Sequence, residues 1–330
     1  MSQRHPTTLG VMFRRQNPPE TLPAYARRAE QLGLEELWVV EDCFFASGIA
    51  SAAVALAVTA DIHIGLGIMP AVARNAAFTA MEIATLARTY PGRFTAGIGH
   101  GVAVWMRQIG AFPSSQLAAL DETASVTQRL LAGETVTFHG QHVHIDNVKL
   151  EFPPATVPPV ILGVSGPKSL HLSGQIASGT IIPECSSPAY VAWARQQIAH
   201  GQAAAGRAGE PHRLTVYVFC AVDEEGAAAR QRVRAPLAQM LSNGNADQLR
   251  PLGIQPEVTR LMAAGGWEHL SETMPDAWID LLTVAGTPAE CAAAIHRLYA
   301  AGADSVVLVT EPGGVESLDG VAAILAVLAG

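Results

Sequence analysis

The chain has few cysteines, and their spacing argues against two kinds of site. The four cysteines of this 330-residue sequence lie far apart and include no Cys-x-x-Cys pair. This spacing predicts reduced thiols, because a disulfide framework or a zinc site would group its cysteines more closely. The four are Cys43, Cys185, Cys220 and Cys291.

Charged residues, and lysine in particular, are also scarce. Only 15% of the residues are charged, the formal net charge is −8, and lysine occurs twice against 19 arginines. A chain with this balance and no basic run is a poor partner for nucleic acid or for an anionic membrane. No apolar run is long enough to span a bilayer, and Met1–Pro19 lacks the pattern of a signal peptide. We therefore expect a cytoplasmic protein that acts on a small molecule.

Strand-like and helix-like segments alternate along the whole chain, whose 49% hydrophobic content suffices for a large core. Eight predicted strands with intervening helices and no long linker indicate an α/β fold: one closed (β/α)8 TIM barrel over residues 1–330. An open doubly wound sheet is the alternative, although such sheets usually stop at about six parallel strands. The predicted strands are Gly10–Phe13, Glu36–Val40, Ile62–Gly67, Phe94–Ile98, Val160–Val164, Thr180–Pro183, Leu214–Ala221 and Ser305–Thr310.

Two insertions are predicted in this barrel. Thr135–Ile145 alternates with a period of two and turns at Gly140, which indicates a hairpin, and a proline-rich run completes an insertion at 133–159. Residues 224–284 hold methionine and tryptophan among glycine and proline breaks. They predict a helical insertion over the barrel top, either a lid over a substrate pocket or an outer layer of helices.

Three histidines of the hairpin do not predict a metal site. The alternation along the chain assigns His142 and His144 to one face of the hairpin and His139 to the other. Metal ligands usually come from more than one segment, with a carboxylate or a cysteine nearby. We therefore expect surface histidines and no bound metal.

The stretch Ile64–Gly101 carries the clearest functional signal. It reads as a strand, a loop, a long helix that begins near Asn75 and a second strand, and both strands end in glycine. Ligands of parallel α/β proteins bind at the carboxyl ends of strands, where glycine lets a flat or anionic ligand approach the main chain. The glycines concerned are Gly67, Gly97, Gly99 and Gly101.

The end of the fifth strand has a different signal. Ser165 and Gly166 follow this strand, and Pro167 and Lys168 open the next helix. Backbone N–H groups at a helix start favour phosphate, proline suits the first helical turn, and the lysine adds a positive charge. The segment therefore predicts an anion site.

Four motifs in a fixed order resemble a known family. The chain is similar to the luciferase-like superfamily of flavin- and deazaflavin-dependent oxidoreductases. Within that superfamily it resembles the branch that uses the deazaflavin coenzyme F-420 (F420) and includes methylenetetrahydromethanopterin reductase. The resemblance covers most of the chain. The motifs are LWVVEDCF, GLGIMPAVARN, EIATLARTYPGRFTAGIGHG and GVSGPKSLHLSGQIASG.

The resemblance implies a cofactor site at the ends of the third, fourth and fifth strands. A non-prolyl cis peptide bond lies behind the middle ring of the coenzyme in this family, and its counterpart here is Gly67–Ile68. Ile68 would then support one face of the ring and leave the opposite face open to substrate. The other residues implied to bind the coenzyme are Gly97, Gly99, His100, Gly101, Gly163, Ser165, Gly166 and Lys168.

Two departures from the family bear on the chemistry. Dehydrogenase relatives carry Asp-His after the second strand, where this chain has Asp42-Cys43, and some carry a glutamate where it has Val102. An alcohol dehydrogenase needs a base for the hydroxyl proton, so the departures disfavour alcohol oxidation. Besides Glu41, the ionisable residues left at the rim of the second and fourth strands are the predicted catalytic candidates, Asp42, Cys43 and His100.

The resulting hypothesis is an enzyme that transfers a hydride from a reduced deazaflavin to an unsaturated small organic substrate. The first alternative is an FMN-dependent monooxygenase, which would use FMN as its flavin. The second, from another class, is a non-catalytic barrel that binds a flavin. The resemblance also implies a homodimer.

Overall fold

The computed structural model describes residues 7–243 and 246–330. Its strands are β1 (Thr8–Met12), β2 (Glu36–Val39), β3 (His63–Pro70), β4 (Phe94–Gly99), β5 (Val136–His139), β6 (His144–Val148), β7 (Val160–Gly163), β8 (Gly179–Ile182), β9 (Arg213–Val222), β10 (Val284–Gly286) and β11 (Ser305–Val309). Its α-helices are α1 (Leu22–Gln31), α2 (Gly48–Val58), α3 (Ala76–Thr89), α4 (Ala103–Gln108), α5 (Gln116–Leu131), α6 (Pro167–Ile176), α7 (Pro188–Ala204), α8 (Gly226–Ser242), α9 (Ala246–Leu249), α10 (Gln255–Thr273), α11 (Asp276–Leu282), α12 (Pro288–Ala301) and α13 (Asp319–Ala329).

Eight parallel strands close into a barrel. They follow one another around it in the order β1, β2, β3, β4, β7, β8, β9 and β11, and β11 pairs with β1 to complete the circle. The predicted TIM barrel is thus confirmed, with each of its eight strands at the expected place. The short strand β10 was not predicted, and it pairs with the carboxyl end of β9.

Local sequence sets the start of several barrel helices. The side chain of Asn75 accepts a hydrogen bond from the backbone N–H of Ala77 and begins α3, as the sequence suggested. Ser187 caps α7 in the same way, and Thr287 forms a capping box with Glu290 at the start of α12. Such caps satisfy backbone N–H groups that have no partner inside the helix.

The amino-terminal end of the barrel interior is filled by a buried ion pair. The carboxylate of Glu36, which is 4% exposed, pairs with Arg213. It also accepts hydrogen bonds from the Ser305 hydroxyl at 2.7 Å, the Trp38 indole at 2.8 Å and the Thr8 hydroxyl at 2.9 Å. This network fills the bottom of the barrel, so we look for a ligand site at the carboxyl ends of the strands.

The predicted hairpin exists, but its histidines were assigned to the wrong faces. β5 and β6 pair antiparallel, and His139 lies directly opposite His144 in their register. Residues opposite each other share a face, so these two lie on the same side, whereas His142 lies in the turn. Within residues 7–243 and 246–330, no three metal-ligating side chains come together.

The hairpin turn is fixed to α5 by one carboxylate. Glu122 accepts hydrogen bonds from the backbone N–H groups of Gln141, His142 and Val143, at 2.7 to 2.9 Å. Although slight burial opposes it, these bonds lower the pKa of Glu122. The turn is therefore anchored to the barrel wall.

The segment 224–284 forms a helical layer against β9 and β10. Its apolar side chains belong to the same buried cluster as the upper barrel interior, including Tyr217 and Phe219 of β9. In α10 the helix is broken at Gly265 and Gly266, which have non-helical backbone angles. No helix in the described ranges is long and apolar enough to cross a membrane, and none of the cysteines there forms a disulfide.

Candidate active site

Ile68 forms a floor across the mouth of the barrel. The Gly67–Ile68 peptide bond is cis, as the resemblance implied, and so is Cys43–Phe44, which was not expected. A Cβ atom added to Gly163 or Gly99 would lie 2.3 Å or 2.9 Å from side-chain atoms of Ile68. The strand-end glycines therefore make room for Ile68, which remains half-buried with its upper surface open to the mouth.

A tyrosine hydroxyl lies directly below this floor. A Cβ atom on Gly67 would be 2.1 Å from the hydroxyl oxygen of Tyr217, whose side chain is 5% exposed and packs edge-on against Trp38. Among the described residues this hydroxyl has no hydrogen-bond partner. Burial, together with Glu184, Glu36 and Asp42, raises the pKa of Tyr217 well above its ordinary value. The hydroxyl is therefore protonated and able to donate.

One wall of the mouth is held by Arg15. Its guanidinium pairs with Asp42 at 2.8 Å and stacks over the rings of Phe45 and Trp105 at 5.3 Å and 5.4 Å. The predicted catalytic residue Asp42 therefore lies in an ion pair that connects the segments after β1 and β2 with helix α4. Phe44, next to it in the chain, is 66% exposed and offers an apolar surface at the rim.

The other ionisable groups after β2 are similarly constrained. Glu41 forms a two-pronged ion pair with Arg74, at 2.6 and 3.0 Å, and accepts a hydrogen bond from the backbone N–H of Gly48. Burial, followed by the charges of Glu41 and Asp42, raises the pKa of Cys43. The Cys43 thiol is therefore protonated at neutral pH and is a weak nucleophile and a weak base.

His100 faces helix α6. Its Nε2 lies 2.9 Å from the hydroxyl oxygen of Ser169, in the first turn of that helix. Burial lowers the pKa of His100, so its ring is neutral at neutral pH. The next residue, Gly101, has a φ of 72°, a conformation that favours glycine and turns the chain away from β4.

The predicted anion site lies where α6 begins. Gly166 is the N-cap of α6 and Pro167 its first residue, while the Ser165 carbonyl accepts a hydrogen bond from Tyr190. Lys168 is exposed and lines a groove of about 610 Å³ between α5, α6 and α7, shared with Asp121. The structure thus brings these residues close to His100 but directs Lys168 toward the outer groove.

Besides Arg15, sequence reasoning missed two further charged residues at the mouth, Arg14 and Glu184. Arg14 follows β1, donates a hydrogen bond to the Thr310 carbonyl at 3.0 Å and lies 5.9 Å above the ring of Phe219. Glu184 follows β8 and carries a half-buried carboxyl close to Arg14. Arg14 and Glu184 each lie two residues after the end of a barrel strand. Because the active sites of such barrels are built at the carboxyl ends of the strands, this position could have identified both residues as candidates.

A buried amide holds the loop that carries Glu184. The side-chain nitrogen of Gln248, in α9, donates to the carbonyls of Pro183 and Glu184 and lies 3.0 Å from the Ser186 hydroxyl. Gln248 is 2% exposed, so water does not compete for these bonds. The 224–284 segment therefore fixes the position of Glu184 through the main chain.

Comparisons with known proteins agree with this geometry. A 5,10-methylenetetrahydromethanopterin reductase from Methanolobus tindarius is 29% identical over 306 residues, which cover 91% of this chain and 93% of that enzyme. An F420-dependent glucose-6-phosphate dehydrogenase from Kineococcus radiotolerans is 26% identical over 302 residues, covering 86% and 85%. The solved structure of the coenzyme F420 dependent tetrahydromethanopterin reductase from Methanopyrus kandleri superposes with a TM-score of 0.84, at 21% identity over 96% of this chain and 97% of that one.

The Methanopyrus structure shares the fold of this chain, including the closed barrel and its surrounding helices. The family assignment comes from the sequence, since residues 3–305 match the luciferase-like monooxygenase family. That match covers seven of the eight barrel strands in full, from β1 to β9, and every residue of the mouth described above, apart from those that follow β11. The chain therefore belongs to the luciferase-like monooxygenase family.

Proposed function

We propose that this protein is a coenzyme F-420-dependent oxidoreductase that reduces an unsaturated small organic molecule. The observation that carries the proposal is the floor at the barrel mouth, where Ile68 rests on Gly99 and Gly163 and keeps an apolar surface open. A flat ring placed on such a surface would leave its other face free. The F420 dependence of the Kineococcus relative supports the choice of coenzyme.

The residues around the floor fit a deazaflavin. The start of α6, with Gly166 and Lys168, would hold a phosphate. When bound in its reduced form, F-420 supplies a hydride from C5 of its ring. Ile68 would orient the ring and exclude water from one side.

The side chains at the mouth favour reduction over alcohol oxidation. Oxidising an alcohol requires a base close to the hydroxyl, and the two positions that supply one in dehydrogenase relatives carry Cys43 and Val102 here. The Cys43 thiol stays protonated, and the neutral ring of His100 is turned to Ser169. Reduction of an activated C=C or C=N bond does not require such a base.

Titration of the purified protein with F-420 and with FMN tests the proposal. We expect F-420 to bind with a dissociation constant at least about tenfold lower than FMN, which corresponds to about 1.4 kcal/mol. Preferred binding of FMN would favour a monooxygenase instead. Binding of F-420 without oxidation of its reduced form by any unsaturated acceptor would favour a non-catalytic barrel.

Replacing Lys168 with alanine tests the phosphate contact. We expect the dissociation constant for F-420 to rise by about tenfold, the effect of one charge-assisted contact of about 1 to 2 kcal/mol. Lys149→Ala is the matched control, because Lys149 is the other lysine and is exposed beyond the hairpin. Equal affinities of the two variants for F-420 would show that Lys168 contacts solvent and does not contact the phosphate of the coenzyme.

A further inference from the structure

Glu184 is an ionisable residue at the barrel mouth to which the reaction outlined above gives no role. We propose that Glu184 is the acid that delivers the proton to the substrate when the hydride is transferred. This inference rests on the proposed function, because it names the source of the proton in the same reduction. Neither Cys43 nor His100 is placed to do this, since the thiol is a weak acid and the imidazole faces Ser169.

The position of Glu184 suits this role. It follows β8 directly, at the carboxyl end of the barrel where the Ile68 floor lies. Gln248 fixes its main chain with a hydrogen bond of 2.6 Å to the Glu184 carbonyl, and the next residue, Cys185, has a φ of 67°. A carboxyl on a fixed backbone can keep a constant direction toward a bound substrate.

The Glu184 carboxyl accepts a hydrogen bond from its own backbone N–H but is not held by the side chain of another described residue. It forms no salt bridge and no hydrogen bond with another side chain in residues 7–243 and 246–330. The charged and titratable groups that face it are Arg14 and Arg15 after β1, Asp42 after β2 and Tyr217 in β9. Asp42 is already paired with Arg15, and Arg14 is bonded to the Thr310 carbonyl.

The surroundings favour the protonated form of this carboxyl. Burial raises the pKa of Glu184 and the nearby Asp42 acts in the same direction, while a hydrogen bond from its own backbone N–H and the charges of Arg14 and Arg15 oppose them. The proton is therefore retained at pH values at which an exposed glutamate has lost it. As the pH rises through this raised pKa, the acid form disappears and the reduction should slow.

The proposed step balances as follows. The hydride carries two electrons from the reduced deazaflavin to one atom of a neutral C=C or C=N bond. The electron pair of that π bond takes the proton from the Glu184 carboxyl, which becomes a carboxylate. The coenzyme, now oxidised, releases one ring-nitrogen proton to solvent, and solvent returns one proton to Glu184.

The test compares Glu184→Gln with a control that removes a carboxyl from the same end of the barrel. Glu311→Gln serves as that control, because Glu311 follows β11 and pairs with Arg232 at 3.0 Å. Infrared spectra of the proteins without coenzyme should show the carbonyl band of a protonated carboxylic acid above the pH range in which exposed glutamates lose their protons. We expect bands of equal intensity in the wild type and the control and a weaker band in Glu184→Gln, because burial also raises the pKa of Glu82 and that carboxyl contributes to the band.

Single-turnover reduction then tests the role of the proton. A panel of neutral enones, with cyclohex-2-enone first, requires a proton, whereas the N-methylated iminium 2-methyl-3,4-dihydroisoquinolinium accepts a hydride alone. Glu184→Gln should slow reduction of the neutral acceptor by about 100-fold, the usual effect of losing a general acid, and should leave the iminium rate within about threefold. The wild-type rate on the neutral acceptor should fall as pH rises, and the variant should lose that dependence.

Two results would overturn the role of Glu184. One is a carboxylic acid band of equal intensity in the wild type and in Glu184→Gln, and the other is a Glu184→Gln variant that keeps the wild-type rate and pH profile on the neutral acceptor. A wild type that reduces no acceptor would contradict the proposed function instead. The infrared comparison distinguishes these failures, because it needs neither coenzyme nor substrate.

Discussion

Replacing Gly163 with alanine is expected to weaken F-420 binding by about 10- to 100-fold. The new Cβ atom would lie 2.3 Å from the Cγ2 atom of Ile68, so Ile68 must move up into the mouth. Overpacking of this kind costs about 1 to 3 kcal/mol, and here the displaced side chain would occupy the space meant for the ring. The measurement is the dissociation constant for F-420, followed by fluorescence.

Two further variants isolate this effect. In Gly163→Ala combined with Ile68→Ala, the nearest contact between the two residues returns to an ordinary 3.4 Å, and F-420 should bind as well as it does to Ile68→Ala alone. Gly313→Ala is the control, because a Cβ atom there meets only Ser317, at 3.8 Å. An unchanged affinity of Gly163→Ala would contradict the placement of the ring on Ile68.

Replacing Arg213 with methionine is expected to lower the free energy of unfolding by about 3 to 5 kcal/mol. The change leaves the buried carboxylate of Glu36 without its ion-pair partner, and an unpaired buried charge is strongly destabilising. Chemical denaturation of the variant and the wild type measures the difference. Arg232→Met is the control, since its half-exposed pairs with Asp223 and Glu311 should contribute less than about 1 kcal/mol.

The Arg213 variant should also change how stability depends on pH. Although burial opposes it, Arg213 and hydrogen bonds from Ser305, Trp38 and Thr8 lower the pKa of Glu36. In the wild type the resulting stability is present at neutral pH and is lost as pH falls through the lowered pKa. The difference in the free energy of unfolding between the wild type and Arg213→Met should therefore become smaller as the pH falls. A constant difference across pH would show that lost packing, and not charge, accounts for the effect.

The barrel could be predicted because its signals are periodic and repeated. All eight strands lie within a few residues of the predicted segments, and Asn75 begins α3 as expected. β10 escaped prediction because its three residues, Val284–Gly286, are too few to show a period and become a strand only by pairing with β9. The hairpin faces were wrong because the alternation was extended through residues 140–143, which form the turn and do not continue either strand.

The site was only partly predictable. Ile68 and the strand-end glycines follow from motif and position, but their mutual packing depends on three strands that are distant in sequence. Glu184 and Arg14 each follow a strand, yet only the fold shows that they face each other. Lys168 stands in the expected helix start, whereas the direction of its side chain depends on α5, which no local pattern reveals.

A crystal structure of the protein soaked with F-420 would test the central claim most directly. We predict that the deazaflavin ring lies against Ile68 at the barrel mouth and that its open face points toward the space beside Glu184. A ring bound elsewhere, for example in the groove between α5 and α6, or a mouth that stays empty while F-420 binds in solution, would contradict it.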